Sequence, residues 1–207
     1  MVYEIRPRAN RANQMVELQY RRSPTAQSAW HDYIHKGQPV PREAAPPLIL
    51  SEHKTPLPDA FEITRDVWCV SDKTRELMQR LFGDQVAFYE VPVVVEADNE
   101  SLPSTNFVTF SQFHTLIDWQ KSKVQQRRHA GASPEIQAID LADVPAAAVF
   151  KAMPSSQQMI WIERTVRDGN RLFSPGFNVY ATDAAAEAIG QAFPEVFILK
   201  KHREEPG

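Results

Sequence analysis

Prolines crowd one short segment of this chain and constrain its fold more than any other feature. Six of the 16 prolines lie within residues 39–58, namely Pro39, Pro41, Pro46, Pro47, Pro56 and Pro58. Each proline fixes its own φ, lacks a backbone N–H and disfavours helix at the residue before it. The segment is therefore predicted to run extended over the surface of the remaining chain, as an arm or strap.

The size and composition of the chain are those of an ordinary globular protein. It has 207 residues, of which 43% are hydrophobic and 24% are charged, which is enough to bury a sizeable core within one domain. We expect residues 1–60 to supply N-terminal strands and the extended arm, and residues 61–207 to form an α+β body on which they pack. Residues 1–42 carry a net charge of +4 and the remainder −7. An acidic body suits a basic partner, and a solvated surface explains the same charge.

The cysteine and hydropathy patterns predict a cytoplasmic protein. Cys69 is the single cysteine, which rules out a disulfide within the chain and indicates a reducing compartment. Arg6, Arg8 and Arg11 are not followed by the apolar segment of a signal peptide. No apolar run approaches the roughly 20 residues that a membrane-spanning helix needs, so no membrane partner is expected.

The clearest local pattern begins with the apolar residues 67–70, which are typical of a strand. Ser71 then predicts a helix start, because its hydroxyl can accept a bond from an otherwise unpaired backbone N–H. Apolar side chains recur at helical spacing over residues 77–82, and Gly83 predicts the helix end. Residues 86–95 are rich in β-branched and aromatic side chains, which favours a strand, and the proline within them predicts an edge or a bulge.

A similar unit follows 111 residues later. Residues 178–181 lead into Thr182 and Asp183, then an alanine-rich helix that ends near Phe193, then a strand at residues 196–199. The offset aligns Phe82 with Phe193. This similarity could be an internal repeat of a strand–helix–strand unit. It could also be convergence, because any capped amphipathic helix after a strand has this pattern.

Most of the sequence between the two units has the pattern of strands. Candidate strands are residues 107–110, 116–119, 136–141, 147–153 and 159–166. The tripeptide at residues 168–170, Asp-Gly-Asn, is a turn signal after the last of them. The sequence therefore predicts a β-rich mixed sheet with two principal helices, which is an α+β fold.

Two histidines raise the possibility of a metal site. His31 and His35 lie four residues apart, so on a helix they would share a face, as zinc ligands do in His-Glu-x-x-His enzymes. Asp32 replaces the glutamate of that motif, and its shorter side chain would not place a carboxylate where the general base acts. No third ligand is evident at a fitting distance. A metal-dependent hydrolase built on these residues is kept as an alternative, while no metal or cofactor is predicted.

Other motifs for catalysis are weak or missing. Cys69 lies in an apolar strand and is predicted to be a small core residue, because a nucleophile needs a nearby base and partial exposure. Ser71 lacks the Gly-x-Ser-x-Gly pattern of hydrolases, and helix capping explains it. The seven glycines form no phosphate-binding loop. We therefore predict no catalytic residues, although active sites assembled from distant residues leave no local motif.

Charged loops are the remaining candidates for function. Arg127 and Arg128 form a short basic run near two lysines, which suggests a nucleic-acid or regulatory adaptor as a second alternative. One such loop on a chain of net negative charge disfavours nucleic acid as the partner. Asp98 and Glu100 lie in an acidic loop, which an ordinary solvated surface explains and which is also a candidate contact for a protein partner. Trp119 and Trp161 could anchor an interface if exposed, although core burial is the expected position of a tryptophan.

A family resemblance favours a protein partner. The segments Lys54-Thr-Pro-Leu-Pro-Asp-Ala-Phe61 and Val67-Trp-Cys-Val-Ser-Asp72 resemble immunity protein family eleven of bacterial polymorphic-toxin systems, long known as a domain of unknown function. The order of the later segments is also similar: Phe88–Val93, Phe107–Phe110, Ile117–Trp119, Val149–Lys151 and Asn178–Asp183. The resemblance covers roughly residues 30–200 and implies a non-enzymatic cytoplasmic inhibitor that binds a cognate toxin, without metal or catalytic residues. For its interface the sequence offers Asp98, Glu100, Arg127 and Arg128.

Overall fold

The protein combines sixteen strands and two long helices within the residues described by the structure, a computed structural model. These are residues 1–8, 18–19, 30, 32–34, 36–51, 54, 57–64, 67–127, 136–142, 144, 147–152, 157–175 and 178–204. The helices are α1 (Asp72–Phe82) and α2 (Asp183–Ala192), with 3₁₀ turns at Arg42–Ala44 and Gly83–Gln85. The strands are β1 (Val2–Pro7), β2 (Leu18–Gln19), β3 (Ile49–Ser51), β4 (Ala60–Thr64), β5 (Val67–Val70), β6 (Val86–Val95), β7 (Ser101–Phe110), β8 (Phe113–His114), β9 (Val124–Arg127), β10 (Gln137–Leu141), β11 (Val149–Phe150), β12 (Ile160–Glu163), β13 (Val166–Asp168), β14 (Arg171–Ser174), β15 (Val179–Thr182) and β16 (Phe197–Glu204). The predicted α+β class is confirmed.

These strands form three sheets. The hairpin sheet has the order β2-β3-β6-β7-β5-β4, and the terminal sheet has the order β11-β16-β1-β15-β12-β8. A small sheet has the order β13-β14-β10-β9. Because β1 lies between β15 and β16, the terminal sheet joins residues from opposite ends of the sequence.

The first strand–helix–strand unit forms as its sequence signals predict. The Ser71 hydroxyl oxygen accepts a bond from the backbone N–H of Thr74 at 3.3 Å and caps α1. Gly83 ends the helix with φ of 54°, a backbone conformation that other residues rarely adopt. In β6, the pairing with β7 shifts between Val91 and Val93, so the intervening proline marks a bulge, which is one of the two predicted alternatives.

The second unit has the same topology and the same register as the first. In the first unit, Trp68 of β5 and Val86 of β6 pair with Val108 and Phe110 of the central antiparallel strand β7. In the second unit, Val179 of β15 and Phe197 of β16 pair with Ile5 and Pro7 of β1. In both units the two residues on the outer strands are 18 positions apart in the sequence. Their pairing partners on the central strand are two positions apart. The units differ in where the central strand comes from, since β7 directly follows its unit whereas β1 lies near the start of the chain.

The hairpin sheet and the terminal sheet share one hydrophobic core. Trp68 is fully buried, and its ring centroid lies 5.2 Å from that of Phe110 and 5.8 Å from that of Phe197. Successive residues of a strand point to opposite faces, so Val179 faces this shared core while Tyr180 faces a second cluster. The second cluster covers the other face of the terminal sheet and includes Val2, Phe150, Trp161 and Tyr180.

The described part of the proline-rich segment runs along the hairpin sheet. The backbone N–H of Val40 donates to the Thr109 hydroxyl at 2.9 Å, and the Tyr89 hydroxyl donates to the carbonyl oxygen of Val40 at 3.0 Å. Arg42 donates to the carbonyl oxygen of Glu90 at 2.7 Å. The segment then enters β3, which pairs in parallel with β6.

Some predicted strands are wrong or shorter. Residues 116–119 form no strand and contribute an isolated bridge between Ile117 and Phe150. The strand predicted at 147–153 is limited to β11, and the one predicted at 159–166 breaks after Glu163 and resumes as β13. The turn predicted at residues 168–170 joins β13 to β14, and Gly169 there has φ of 58°. Trp30 and residues 32–34, close to the two histidines considered as metal ligands, are helical.

Candidate functional site

The loop between β6 and β7 projects two of the predicted interface residues. Each of these strands is ten residues long. The backbone N–H of Asn99 donates to the carbonyl oxygen of Val95 at 2.9 Å, and Asn99 has φ of 60°. The backbone N–H of Glu100 donates to the Asp98 carboxylate at 3.1 Å. These bonds hold Asp98 and Glu100 exposed in a defined turn, which we call the hairpin tip (residues 96–100).

A lysine from the proline-rich segment lies between the two carboxylates. The Lys54 ammonium lies 2.6 Å from Asp98 and also forms an ion pair with Glu100. The hydrogen bond from Lys54 holds the pKa of Asp98 below its usual value. The bonds to Asp98 and Glu100 raise the pKa of Lys54 above its usual value. Asp98, Glu100 and the exposed Glu96 outnumber Lys54, so the hairpin tip is acidic near neutral pH.

Of the two predicted basic residues, the structure describes the position of one, and it lies in a different sheet from this tip. Arg127 lies in β9 of the small sheet, where its backbone pairs with Ala138. Arg128, His31 and His35 lie outside the described residues. Trp161 is fully buried, as expected for a tryptophan. Trp119 is partly buried, and its ring centroid lies 5.2 Å from that of Phe173.

Cys69 occupies the position expected of a core residue. Its side chain is fully buried in the shared core. Burial raises the pKa of its thiol far above the usual value, so the thiolate that would act as a nucleophile is not formed near neutral pH. The Ser71 hydroxyl donates to Asp59 at 2.8 Å while capping α1. Packing in the core therefore explains Cys69, and capping of α1 explains Ser71.

The structure reveals a cavity that the sequence did not predict. It has a volume of about 410 Å³ and lies between the terminal sheet and strands β10 and β14 of the small sheet. Glu4 of β1 pairs across the sheet with Tyr180 of β15 on one side and Lys200 of β16 on the other. His202, two residues beyond Lys200, lines the same cavity. We call this the polar pocket.

Glu4 is the electrostatic centre of the polar pocket. Its carboxylate oxygen Oε2 lies 3.2 Å from Nε2 of His202 and 3.3 Å from Nζ of Lys200. Burial would raise the pKa of Glu4, but the hydrogen bond to His202 and the charge of Lys200 outweigh it and lower that pKa. Burial raises the pKa of Tyr180 strongly, against a smaller effect of the Asn178 side chain. Near neutral pH the pocket therefore contains an ionised carboxylate beside an un-ionised phenol.

A second buried carboxyl group lies on the same face of the terminal sheet. Glu163 is 3% exposed and accepts hydrogen bonds from the backbone N–H of Ile117 at 2.7 Å and from Nε1 of Trp161 at 3.0 Å. Burial raises its pKa to about 7, although these two bonds and Lys151 act in the opposite direction. His114 pairs with Glu163 across β8 and β12, and burial lowers its pKa.

The residues of the polar pocket left only a faint signal in the sequence. Glu4 and His202 are 198 positions apart, so no motif search joins them. Charged or polar side chains at alternate positions, as at Lys200 and His202, indicate that one face of a strand is polar. That face becomes a pocket only because β1 lies beside β16 and the small sheet covers part of it.

Comparisons with known proteins identify no family for this chain. The chain matches no family model, and no curated protein is significantly similar to it. Within the part of the chain that the structure describes, no helix is long and apolar enough to cross a membrane. Among those same residues, no three His, Cys, Asp or Glu side chains are grouped as a metal site would require. The resemblance to the immunity family stays a prediction.

Proposed function

We propose that the protein neutralises a bacterial toxin by binding it in the cytoplasm of the cell that makes both proteins. The exposed hairpin tip is the observation that carries this proposal. It presents ionised carboxylates from a turn that is already ordered, so binding costs little conformational entropy there. The ordered resemblance to immunity protein family eleven supports the same function.

The charge of the hairpin tip suits a toxin with a basic surface. Exposed charges at the rim of an interface mainly increase the association rate and select the partner. A stable complex buries about 1,600 Å² in total, which is more than a five-residue turn offers. The tip therefore supplies orientation and selectivity, while neighbouring surface supplies most of the contact area.

Co-expression with the toxin domain encoded beside this gene tests the proposal. Restored growth together with a co-purified complex supports neutralisation by direct binding. Restored growth without a complex would instead indicate that the protein reverses the damage enzymatically. Failure to restore growth would contradict the proposal.

The contribution of the hairpin tip can be measured with paired substitutions. The double variant Asp98→Asn, Glu100→Gln removes two carboxylates but keeps their size. We expect its association rate with the toxin to fall on the order of ten-fold at low salt. The matched control, Glu76→Gln with Glu195→Gln, removes two exposed carboxylates elsewhere and should leave the rate nearly unchanged. Equal rates for the two double variants would show that the tip is not part of the interface.

A further inference from the structure

The strand β9 lies at the edge of the small sheet, and one side of its backbone is unpaired. Among the described strands it is hydrogen-bonded to β10, at the end of the order β13-β14-β10-β9. In an antiparallel pair, successive residues direct their backbone N–H and C=O groups alternately toward the partner strand and away from it. The backbone N–H of Ala142 donates to the carbonyl oxygen of Lys123 at 2.8 Å, so Lys123 and the residues two and four positions later direct theirs toward β10. Val124 and Gln126 therefore direct their backbone groups outward.

The residues on this side of β9 are accessible. The side chain of Val124 is 43% exposed, and Lys123 and Gln126 are exposed. Within the described part of the chain, no hydrogen bond joins the backbone of Val124 or Gln126 to another element. We call residues 123–127 the β9 edge. An exposed, unpaired edge is a template to which a further strand can be added.

The β9 edge lies in a basic stretch of the sequence. Residues 121–128 include four basic residues and no acidic one, namely Lys121, Lys123, Arg127 and Arg128. Two carboxylates of neighbouring elements offset part of this charge. Asp118 forms an ion pair with Lys121 at 3.5 Å, and Asp140, one strand further in, is half-buried and lines the polar pocket. Four basic residues against two carboxylates leave the edge positively charged.

This charge disfavours pairing of the β9 edge with a second copy of itself. In the antiparallel register that joins Val124 to Gln126 of a second copy, Lys123 would lie opposite Arg127 of that copy. Like charges directly opposite each other destabilise a sheet, and lysines on edge strands protect proteins from self-association. A strand with a carboxylate at the facing position has the opposite effect, because oppositely charged cross-strand pairs are stabilising.

We propose that the β9 edge binds an extended acidic segment of the toxin, which adds to the small sheet as a further strand. This inference rests on the proposed neutralisation of a toxin. Backbone hydrogen bonds to Val124 and Gln126 hold the segment, and a carboxylate opposite Lys123 or Arg127 selects it. The hairpin tip and the β9 edge carry opposite charges and belong to different sheets, so they suit different parts of the toxin surface.

Amide hydrogen exchange of the full chain, measured by NMR with and without the toxin domain encoded beside this gene, tests the proposal. The N–H groups of Val124 and Gln126 should exchange at least about ten-fold more slowly in the complex, because each becomes hydrogen-bonded. The N–H of Gln125 is the matched control, because it is directed toward β10 and is protected in the free protein. An intact complex in which Val124 and Gln126 exchange as in the free protein would overturn this inference alone. Absence of any complex would overturn it together with the proposed function.

A proline substitution separates backbone pairing from side-chain contacts. Gln126→Pro removes an outward N–H and keeps the bonds from Gln125 and Arg127 to β10, which is the position where edge strands tolerate proline. Gln126→Thr keeps the N–H and is the matched control. The affinity for the toxin should fall at least about ten-fold in Gln126→Pro and stay near that of the wild type in Gln126→Thr. Equal affinities of the two variants would overturn the proposal, and if Gln126→Pro does not fold, the exchange measurement decides.

The charge of the β9 edge provides a further test. Lys123→Glu should weaken binding of the toxin at least about three-fold more than Lys123→Gln, because it places a carboxylate opposite an acidic segment. Equal affinities of these two variants would contradict an acidic segment. A single-stranded DNA oligonucleotide added in place of the toxin tests the other kind of partner that a basic strand suits. Slower exchange at Val124 and Gln126 with the oligonucleotide but not with the toxin would overturn the proposal.

Discussion

The buried carboxyl group of Glu163 makes the stability of the protein depend on pH. Its pKa in the folded protein is about 7, against a usual value of 4.5, because burial disfavours the charged form. Each unit of pKa difference corresponds to about 1.4 kcal/mol, so ionising Glu163 in place costs on the order of 3 kcal/mol. Since the pKa is raised on folding, the stabilising contribution is complete below about pH 4.5 and is lost as the pH rises through about 7.

The substitution Glu163→Gln isolates this effect. Glutamine keeps the size of the protonated side chain and cannot ionise. The difference in free energy of unfolding between variant and wild type should therefore shift by about 2.5 kcal/mol in favour of the variant between about pH 5 and about pH 8, because a small part of the loss has already occurred at pH 5. Urea unfolding followed by tryptophan fluorescence at the two pH values measures both free energies.

The comparison of two proteins removes the contribution of neighbouring groups. The lowered pKa of His114 opposes stability as the pH falls below about 6.5, and this residue is present in both proteins. Glu76→Gln, on the exposed face of α1, is the control and should show no such shift. A change of less than about 1 kcal/mol between the two pH values, or a change of opposite sign, would refute the reasoning that burial controls Glu163.

Further substitutions test individual elements. Ser71→Ala removes the cap of α1 and should lower the free energy of unfolding by about 1 kcal/mol, measured by urea unfolding; an unchanged midpoint would contradict the capping role. Gly83→Ala should cost at least about 1 kcal/mol by the same measurement, because its φ of 54° is strained for alanine, whereas Gly83→Ala at wild-type stability would argue against that strain. Cys69 should react with a thiol reagent only when the protein is unfolded, since the thiol is fully buried, and rapid reaction of the native protein would contradict this position. The association rate with the toxin should fall as salt increases, and a salt-independent rate would argue against an acidic interface.

The helices were predictable because their signals are local. Ser71 and Gly83 lie at the ends of α1 and act on atoms within a few residues of themselves. The strand predicted at residues 116–119 was wrong for the opposite reason. The backbone N–H of Ile117 bonds the side chain of Glu163, 46 positions away, so a tertiary contact replaces the pairing that the local pattern suggested.

The candidate sites also combine features that the local sequence predicts with contacts between distant residues that it does not. Asp98 and Glu100 were predictable as an acidic turn, because loop composition is visible in the sequence. Their ion pairs with Lys54 were not, since that lysine comes from the proline-rich segment. The polar pocket was beyond prediction, because Glu4 and His202 become neighbours only when the order of strands in the terminal sheet is known.

The central position of β1 has a consequence for synthesis on the ribosome. The strands β4 to β7 lie within residues 60–110 and can pair soon after they emerge. In contrast, Glu4 can contact His202 only after a further 198 residues have been synthesised. This corresponds to roughly 10 to 40 seconds of translation. During that interval the nascent chain exposes the apolar face of its hairpin sheet and is a substrate for chaperones. Any activity that needs the terminal sheet begins only after residues 197–204 have left the exit tunnel.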